Sequence, residues 1–557
     1  MRQRLKTLLD EAIAAAIAAA ELPPESADTD FSIDSPPRPE LGDFSANAAM
    51  ALAKVARRAP QQIAQVLLAH LPIDPLVESV EIAPPAFINF HVSQAWFAEA
   101  VAGCLKRGEA YGRDDWGAGK RVQVEFVSAN PVGPIHIGNA RGGPYGDVLA
   151  SLLEATGHSV AREYYINDGP GNTQAQTFGA SLQARYLQAL GEEVELPEKG
   201  YQGEYVTDLA AGILADHGDK YRDVPRDGEG AYLFFTLVRD SMIDVLREDC
   251  EALGIRFDEW FCESNLYDTG AVTAAVARLA ELGATYERDG AVWLRSSEFG
   301  DDEDRVVVRQ TGAPTYIAGD VAYGMNKVID RGFEHIIYVW GPDHAGYVAR
   351  LKAALRAVGI APEDVEIIIY QIVRVLREGE PVKMSKRAGN AIWLREIVEE
   401  VGRDAVRFFF LMRSVDAHLD FDLAIASRQT EENPVYYSQY AHARIRSICR
   451  EGEARGFAGS SLENLQLLTH PAERELMRCI SNYPEMISDA TRRRAPHRLT
   501  HYSTEMARIF HQFYGLCRVL DPEAPELSSA RLALCEAAAQ VLGNLLGLLG
   551  VSAPERM

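Results

Sequence analysis

Between Val122 and Ile166 the chain reads strand, loop, helix, strand, and few folds accommodate that order. Val122-Gln123-Val124-Glu125-Phe126-Val127 is a β-rich run, and Ser128 to Gly133 reads as a loop. Ala140 to Thr156 has helical periodicity and stops at Gly157, a residue suited to the left-handed turn after a helix. Val160 to Ile166 is a second strand. Sequential strands joined by a helix run parallel with a right-handed crossover, so this unit is the first half of a nucleotide-binding α/β sheet.

A chain of 557 residues is too long for one core and divides into domains. Residues 1–112 read as a small α+β unit: an amphipathic helix with Leu5, Leu8, Leu9, Ile13 and Ile17 on one face, a helix over Ala46 to Arg58, and short strands over Val77 to Ile82 and Phe87 to Val92. Gly112 to Lys120, rich in Gly and Asp, reads as a linker. Residues 113–360 form the sheet domain, with a helical, charge-rich insertion near 185–250 and further strands at Val306 to Arg309 and His335 to Trp340. Residues 361–430 hold a strand over Val365 to Val375, a basic loop and a helix over Ala405 to Met412. Residues 431–557 are helical throughout. The fold class expected is multidomain α/β, with a Rossmann-like parallel sheet, an N-terminal α+β domain and a C-terminal all-α domain.

Composition narrows the function. The net charge of -24 and pI near 5.0 exclude a protein that binds nucleic acid through a general basic surface, so any RNA must dock on local basic patches. The 7 cysteines are scattered without a CxxC pair, which points to reduced thiols and away from a zinc site. Asp10 and Glu11 interrupt the apolar N-terminus, so a helix is expected there rather than an export signal. No uncharged apolar run reaches the ~18 residues needed to span a bilayer.

Two short motifs carry the chemistry. His136-Ile137-Gly138-Asn139 lies where the loop meets a helix N-terminus, and unpaired N–H groups there favour anions. Gly138 admits close approach of a nucleotide, while His136 and Asn139 can donate to phosphate oxygens. Lys383-Met384-Ser385-Lys386-Arg387 follows the strand of the third segment; lysines on such a loop neutralise charge as an α-phosphorus is attacked. An isolated HxGN is more often a turn with an incidental histidine, and a basic loop is more often merely solvated. Together, in this order, the two resemble the phosphate-handling elements of class I aminoacyl-tRNA synthetases. There is no GxxxxGK[ST] loop, no kinase signature set and no HExxH. Two other readings remain open at this level: a different class I synthetase or nucleotidyltransferase, and a non-catalytic RNA-binding paralogue.

The segment Val124 to Asn139, VEFVSANPVGPIHIGN, resembles the bacterial type of arginyl-tRNA synthetases. Arg162 to Asp168 (REYYIND), Thr315 to Tyr323 (TYIAGDVAY), Gly341-Pro342-Asp343-His344, Tyr440 to Ile445 (YAHARI), Gly42-Asp43-Phe44 and Phe87-Ile88-Asn89-Phe90 agree with that family in its order. The resemblance implies that Glu263, Tyr316 and Asp320 face a guanidinium, whose planar fork of donors suits carboxylates. It implies that Ser128 and Asn130 hold the α-amino group, with Glu125 and His136 in the same arginine site. It assigns ATP to Pro134, His136, Gly138, Asn139, Asp343, His344, Lys383, Met384, Ser385 and Lys386, with His136, Asn139, Lys383 and Lys386 as the catalytic set. Asn139 stands where the family usually has a second histidine, and Gly169-Pro170-Gly171 lengthens a loop, which leaves Asn172 without an assigned role.

The last segment resembles the family's helical anticodon-binding domain, and Tyr436, Tyr440, His442, Arg444, Arg446, Arg493 and Arg494 concentrate the aromatic and basic groups that contact RNA. The N-terminal domain would touch the outer corner of the tRNA. The partners implied are L-arginine, ATP with its own Mg²⁺ and tRNA specific for arginine, with no protein-held metal, no DNA and no membrane. A cytoplasmic monomer is expected.

Overall fold

The computed structural model describes residues 1–557 except 35, 37, 383–391 and 458–461. Its contacts define two compact units. One comprises Met1–Glu109, Ile445–Asn482 and Ile509–Val541, and the other Ala110–Arg444, Tyr483–Arg508 and Leu542–Met557.

The N-terminal part of the first unit runs α1 (Arg2–Ala18), β1 (Ile33–Asp34), β2 (Phe44–Ala46), α2 (Ala48–Ala56), α3 (Pro60–His70), β3 (Val77–Ala83), β4 (Phe87–Val92) and α4 (Gln94–Arg107). Leu5, Leu8, Leu9, Ala12, Ile13 and Ala16 are the buried stripe of α1, so its apolar face seats in a core as the periodicity predicts. The strands form an antiparallel sheet in the order β1-β2-β4-β3.

The second unit is built on the sheet the sequence announces. It contains β5 (Arg121–Phe126), α5 (Gly142–Ala155), β6 (Ser159–Ile166), α6 (Thr173–Ala189), α7 (Glu204–His217), α8 (Gly228–Ala252), β7 (Glu259–Cys262), α9 (Ser264–Asp268), α10 (Ala271–Glu281), β8 (Thr285–Arg288), β9 (Ala291–Leu294), β10 (Arg305–Val308), α11 (Tyr316–Met325), β11 (His335–Trp340), α12 (Val348–Ala357) and β12 (Val365–Ile369). The five strands β12-β11-β5-β6-β7 pair in that order, every neighbour parallel. Gly157 closes α5 with φ +87°, the left-handed turn its position in the sequence requires. The insertion is the helical trio α6–α8, whose Phe178, Leu182, Tyr186, Val206, Phe234 and Phe235 form a core of their own.

Two expectations change. The stretch read as a linker caps α5 instead: Asp114, Gly117 and Gly119 donate their N–H groups to the carbonyls of Ala155, Thr156 and Gly157 at 2.8–2.9 Å, satisfying acceptors that a helix end leaves over. The single strand expected over Val365 to Val375 is two. After β12 the chain turns at Tyr370-Gln371-Ile372 and continues as β13 (Val373–Arg377), which pairs with β14 (Glu380–Pro381) and, in parallel, with a strand over Leu419–Asp422. Gln371 N–H has already turned to Val415 O at 3.0 Å, so the ladder of the large sheet ends there.

The remaining elements are α13 (Leu394–Val401), α14 (Arg403–Leu411), β15 (Leu419–Asp422), α15 (Leu423–Ala426), and four long helices, α16 (Pro434–Ala454), α17 (Pro471–Arg492), α18 (His497–Leu516) and α19 (Pro525–Leu548).

Candidate active site

The strand order changes its direction of winding between β5 and β11, and at such a point the loops beyond the carboxyl ends diverge to leave a crevice. Several sequence-derived site residues lie in these loops; Glu125 is on β5 itself, and Tyr316 and Asp320 are on α11, which follows β10 of the smaller sheet. β5 leads to Ser128, Asn130 and the His136 motif; β6 to Asp168; β7 to Glu263; β11 to Asp343 and His344.

The β5 loop opens under strain. Val127 and Ser128 take φ of +68° and +42°, a left-handed pair that a β-branched residue adopts only where its surroundings enforce it. Ser128 Oγ accepts Tyr165 N–H at 3.1 Å and lies 3.4 Å from Glu125 Oε1, so the hydroxyl is engaged at the sheet. Asn130 donates to Gln174 Oε1 at 2.8 Å. Past Pro134, Ile137–Asn139 form one 3-10 turn before α5, with His136 as its N-cap: Nδ1 accepts Gly138 N–H at 3.1 Å, so the neutral ring carries its proton on Nε2. Asn139 is exposed at the turn's end and Gly138 is buried. The segment after the lysine motif pairs with this turn. His136 and Trp393 form a β-bridge, Ile137 donates to Ile392 O at 3.1 Å, and Leu394 donates to Ile135 O at 2.8 Å. Lys383, Met384, Ser385 and Lys386 themselves lie outside the described residues.

A cluster of acids fills the other side of the crevice. Glu263 is buried, and its Oε2 accepts Gly169 N–H at 3.2 Å. A Cβ on Gly169 would stand 2.7 Å from that carboxylate, so glycine there is a condition of the pocket. Burial, then repulsion from Asp320, pushes the Glu263 carboxyl up to about 7. Asp320 accepts a hydrogen bond from Tyr347; burial outweighs that bond, and repulsion by Glu125 adds to it, raising Asp320 to about 6. Tyr316, exposed at the start of α11, donates to Gly171 O at 2.7 Å and lies 3.3 Å from Thr173 Oγ1. Among the described residues no basic side chain forms an ion pair with Glu263 or Asp320.

Glu125 has other employment. Its Oε2 meets Lys327 Nζ at 2.5 Å, and that fully buried ammonium sits 3.9 Å from the ring centres of both Tyr323 and Tyr338. Glu125 is thus committed to an ion pair with Lys327 beside the acid cluster. Burial lowers the Lys327 pKa, and Glu125 and Glu163 work against that fall. Asp168, also fully buried, accepts Ser264 N–H at 2.9 Å, Ser264 Oγ–H at 2.8 Å and Arg239 at 3.3 Å, and so fixes the residue that follows Glu263. Asn172, unassigned from sequence, is the N-cap of α6, with its Oδ1 accepting from Gln174 and Ala175.

Asp343 and His344 are exposed on a 3-10 turn at the end of β11, 3.7 Å from one another. Among the described residues no group of three His, Cys, Asp or Glu could hold a metal ion.

Of the RNA candidates, Tyr436 and Tyr440 stack at 6.2 Å, Tyr440 is exposed, and Arg444 is on the surface with Arg446 half-buried. Arg493 is exposed and pairs with Asp489 at 2.7 Å. Two differ from expectation. His442 is buried, with Nδ1 2.9 Å from Pro554 O. Arg494, at φ +51°, holds Glu366 of β12 at 3.0 Å while its carbonyl accepts from Tyr145. Each of the two thus has a polar side-chain atom engaged within the fold.

A parallel sheet with a switch-point crevice, an HxGN turn bridged to the residues that follow a lysine motif in sequence, and a long helical C-terminus together define a class I aminoacyl-tRNA synthetase. Comparison with known proteins gives the kind. The family description "tRNA synthetases class I (R), catalytic domain" matches residues 101–410, "Arginyl tRNA synthetase N terminal domain" matches 3–92, and "DALR anticodon binding domain" matches 438–557. The chain is 46% identical over 560 residues to the arginine–tRNA ligase of Moorella thermoacetica, covering 100% of this chain and 99% of that one. It is 47% identical over 531 residues to that of Caldanaerobacter subterraneus subsp. tengcongensis, with 95% and 94% covered. The Thermus thermophilus arginyl-tRNA synthetase shares the fold with a TM-score of 0.77 at 24% identity, over 100% of both chains. The chain belongs to the arginyl-tRNA synthetase family; it is an enzyme, and its reaction is arginine-specific aminoacylation of tRNA.

Proposed function

We propose that Glu263 and Asp320 take the guanidinium of L-arginine between them, with Tyr316 over it, and that His136 and Asn139 with Lys383 and Lys386 handle the phosphates of ATP. The observation that carries this reading is the acid pair: two carboxylates raised toward neutrality, Glu263 by burial and by Asp320, Asp320 by burial and by Glu125, with Gly169 and Gly319 clearing the space beside Glu263. A planar cation with five donors relieves both at once.

In this reading the arginine carboxylate attacks the α-phosphorus of ATP in line and pyrophosphate leaves. The 2′-hydroxyl of the terminal tRNA adenosine then attacks the acyl carbon of arginyl-adenylate, and AMP leaves. No covalent enzyme nucleophile is needed: His136 Nε2–H, the Asn139 amide and the lysine ammoniums stabilise charge on the phosphates, and the crevice holds the reactants in line. Mg²⁺ arrives with ATP as part of the substrate. Exposed Tyr440 and Arg444 are the groups proposed to contact tRNA, and the enzyme works as a cytoplasmic monomer.

The test is ATP–pyrophosphate exchange with and without tRNA specific for arginine. Exchange with arginine alone among the amino acids supports the assignment, and a requirement for tRNA ties activation to RNA binding. No exchange under either condition, with tRNA still bound, overturns it in favour of a binding paralogue.

A further inference from the structure

The helices of the 185–250 insertion reach the catalytic loop at two points. Tyr205 of α7 donates to Val132 O at 2.8 Å, and its ring stands edge-on to Trp393 at 6.4 Å. Asp249 of α8 is 1% exposed, and its two oxygens hold different parts of the site. Oδ2 accepts the N–H of Ile135, the neighbour of His136, at 2.8 Å; Oδ1 takes Arg395 Nε and Nη2 at 3.1 and 2.9 Å. Glu248 on the same helix takes Arg395 Nη1 at 3.0 Å. Arg395 lies two residues beyond Trp393, which bridges to His136.

One buried carboxylate thus ties the start of the HxGN turn to the segment that follows the lysine motif in sequence. We infer that Asp249 is a positioning residue for adenylate formation, and that the inserted helices serve the reaction by carrying it. The inference rests on the assignment of His136 and the lysines to ATP phosphates. Its physical basis is that reacting groups must be held within a fraction of an ångström, and a charge-assisted anchor one residue from His136 controls that placement without touching arginine or ATP. Burial raises the Asp249 pKa while Ile135 N–H and Arg395 oppose that rise, as expected of a carboxylate retained for its partners.

Asp249→Asn, Arg395→Gln, the double variant and His136→Ala are compared by pyrophosphate exchange with saturating tRNA. The expected result is a kcat lower by about 10-fold or more for Asp249→Asn and by about 3-fold for Arg395→Gln, KM for arginine within about twofold of the parent, and a double variant no worse than Asp249→Asn alone. A fall in kcat that only matches a fall in the folded fraction read by circular dichroism, or additive losses, would mean that Asp249 only maintains the fold, and overturn the inference. Parental kcat in both anchor variants, with His136→Ala crippled, overturns it as well. A parental rate in His136→Ala overturns instead the underlying assignment of that motif. Should Asp249→Asn fail to fold, Arg395→Gln decides alone by the same kcat and KM split, since its side chain is 40% exposed and leaves the Ile135 bond in place.

Discussion

Glu263 and Asp320 show what burial does to a binding site at the scale of single residues. Each free carboxyl holds its proton to unusually high pH, to about 7 and about 6, because the charged form is desolvated and repelled. For an acid raised in the folded state the associated stability is present at low pH and is lost as pH rises through the folded value. The free enzyme therefore carries a cost near neutrality, which arginine would offset if it binds as proposed. Arginine should raise the unfolding midpoint more at pH 8 than at pH 5.5, and its KM should climb as pH falls below about 7, by up to tenfold per unit once a proton must be displaced. An arginine KM flat from pH 8 to 5.5 would sink this account. Asp320→Asn should raise KM for arginine by at least ~10-fold while KM for ATP stays within about twofold; equal movement of both would contradict the pocket assignment. Lys386→Ala should lower kcat of activation by about 10²-fold, the loss expected on removing one stabiliser of developing charge. Family resemblance singled out Glu263 and Asp320, and the structure brings them close enough to repel. Lys327 and Asp249 were not legible, because their partners Glu125 and Ile135 lie 202 and 114 residues away and no local pattern announces such pairs.

At the scale of elements, the start of α5 depends on one side chain that periodicity does not single out. Arg141 is buried, and its guanidinium donates to the carbonyls of Phe410, Gln371, Val415, Ala417, Arg413 and Ser414 at 2.7–3.3 Å. Burial lowers its pKa to about 10. It collects the end of α14, the following loop and the Gln371 carbonyl, at the corner where Val365 to Val375 divides into two strands, onto the start of α5. Arg141→Lys keeps the charge but cannot span six acceptors, and should cost about 2–4 kcal/mol, read as a lower unfolding midpoint. Asn172→Ala should cost about 1 kcal/mol, the usual value of a lost N-cap. The sheet strands β5, β6 and β11 and the helix stop at Gly157 were legible because period and turn chemistry are local. The roles of Arg141 and of the Gly112 to Lys120 cap were not, since a helix end recruits whichever donors the tertiary fold brings to it.

The whole molecule is acidic, with a net charge of -24, and still handles a polyanion. Contact with RNA is then confined to local patches, and stacking carries more of the affinity than it would on a basic protein. Tyr440→Ala should weaken binding of tRNA by about 5- to 100-fold, the range for one lost aromatic–base stack, while KM for ATP is unchanged; tRNA binding equal to the parent would remove Tyr440 from the interface. His442 is buried with Nδ1 beside the carbonyl of Pro554, a contact 112 residues distant that no local pattern announces.

The anchor at Asp249 also bears on how the enzyme comes into being. Its two partners sit 114 residues before it and 146 after it, so the crevice is closed by a pair of very long loops. Each closure costs on the order of 4 kcal/mol of chain entropy, and short-range contacts must already be in place to offset it. During synthesis the sheet strands and inserted helices can assemble as they emerge, but the HxGN turn has no β-bridge partner until Trp393 has left the ribosome. The growing chain is therefore unable to hold its catalytic turn in working register until well past two-thirds of its length is made.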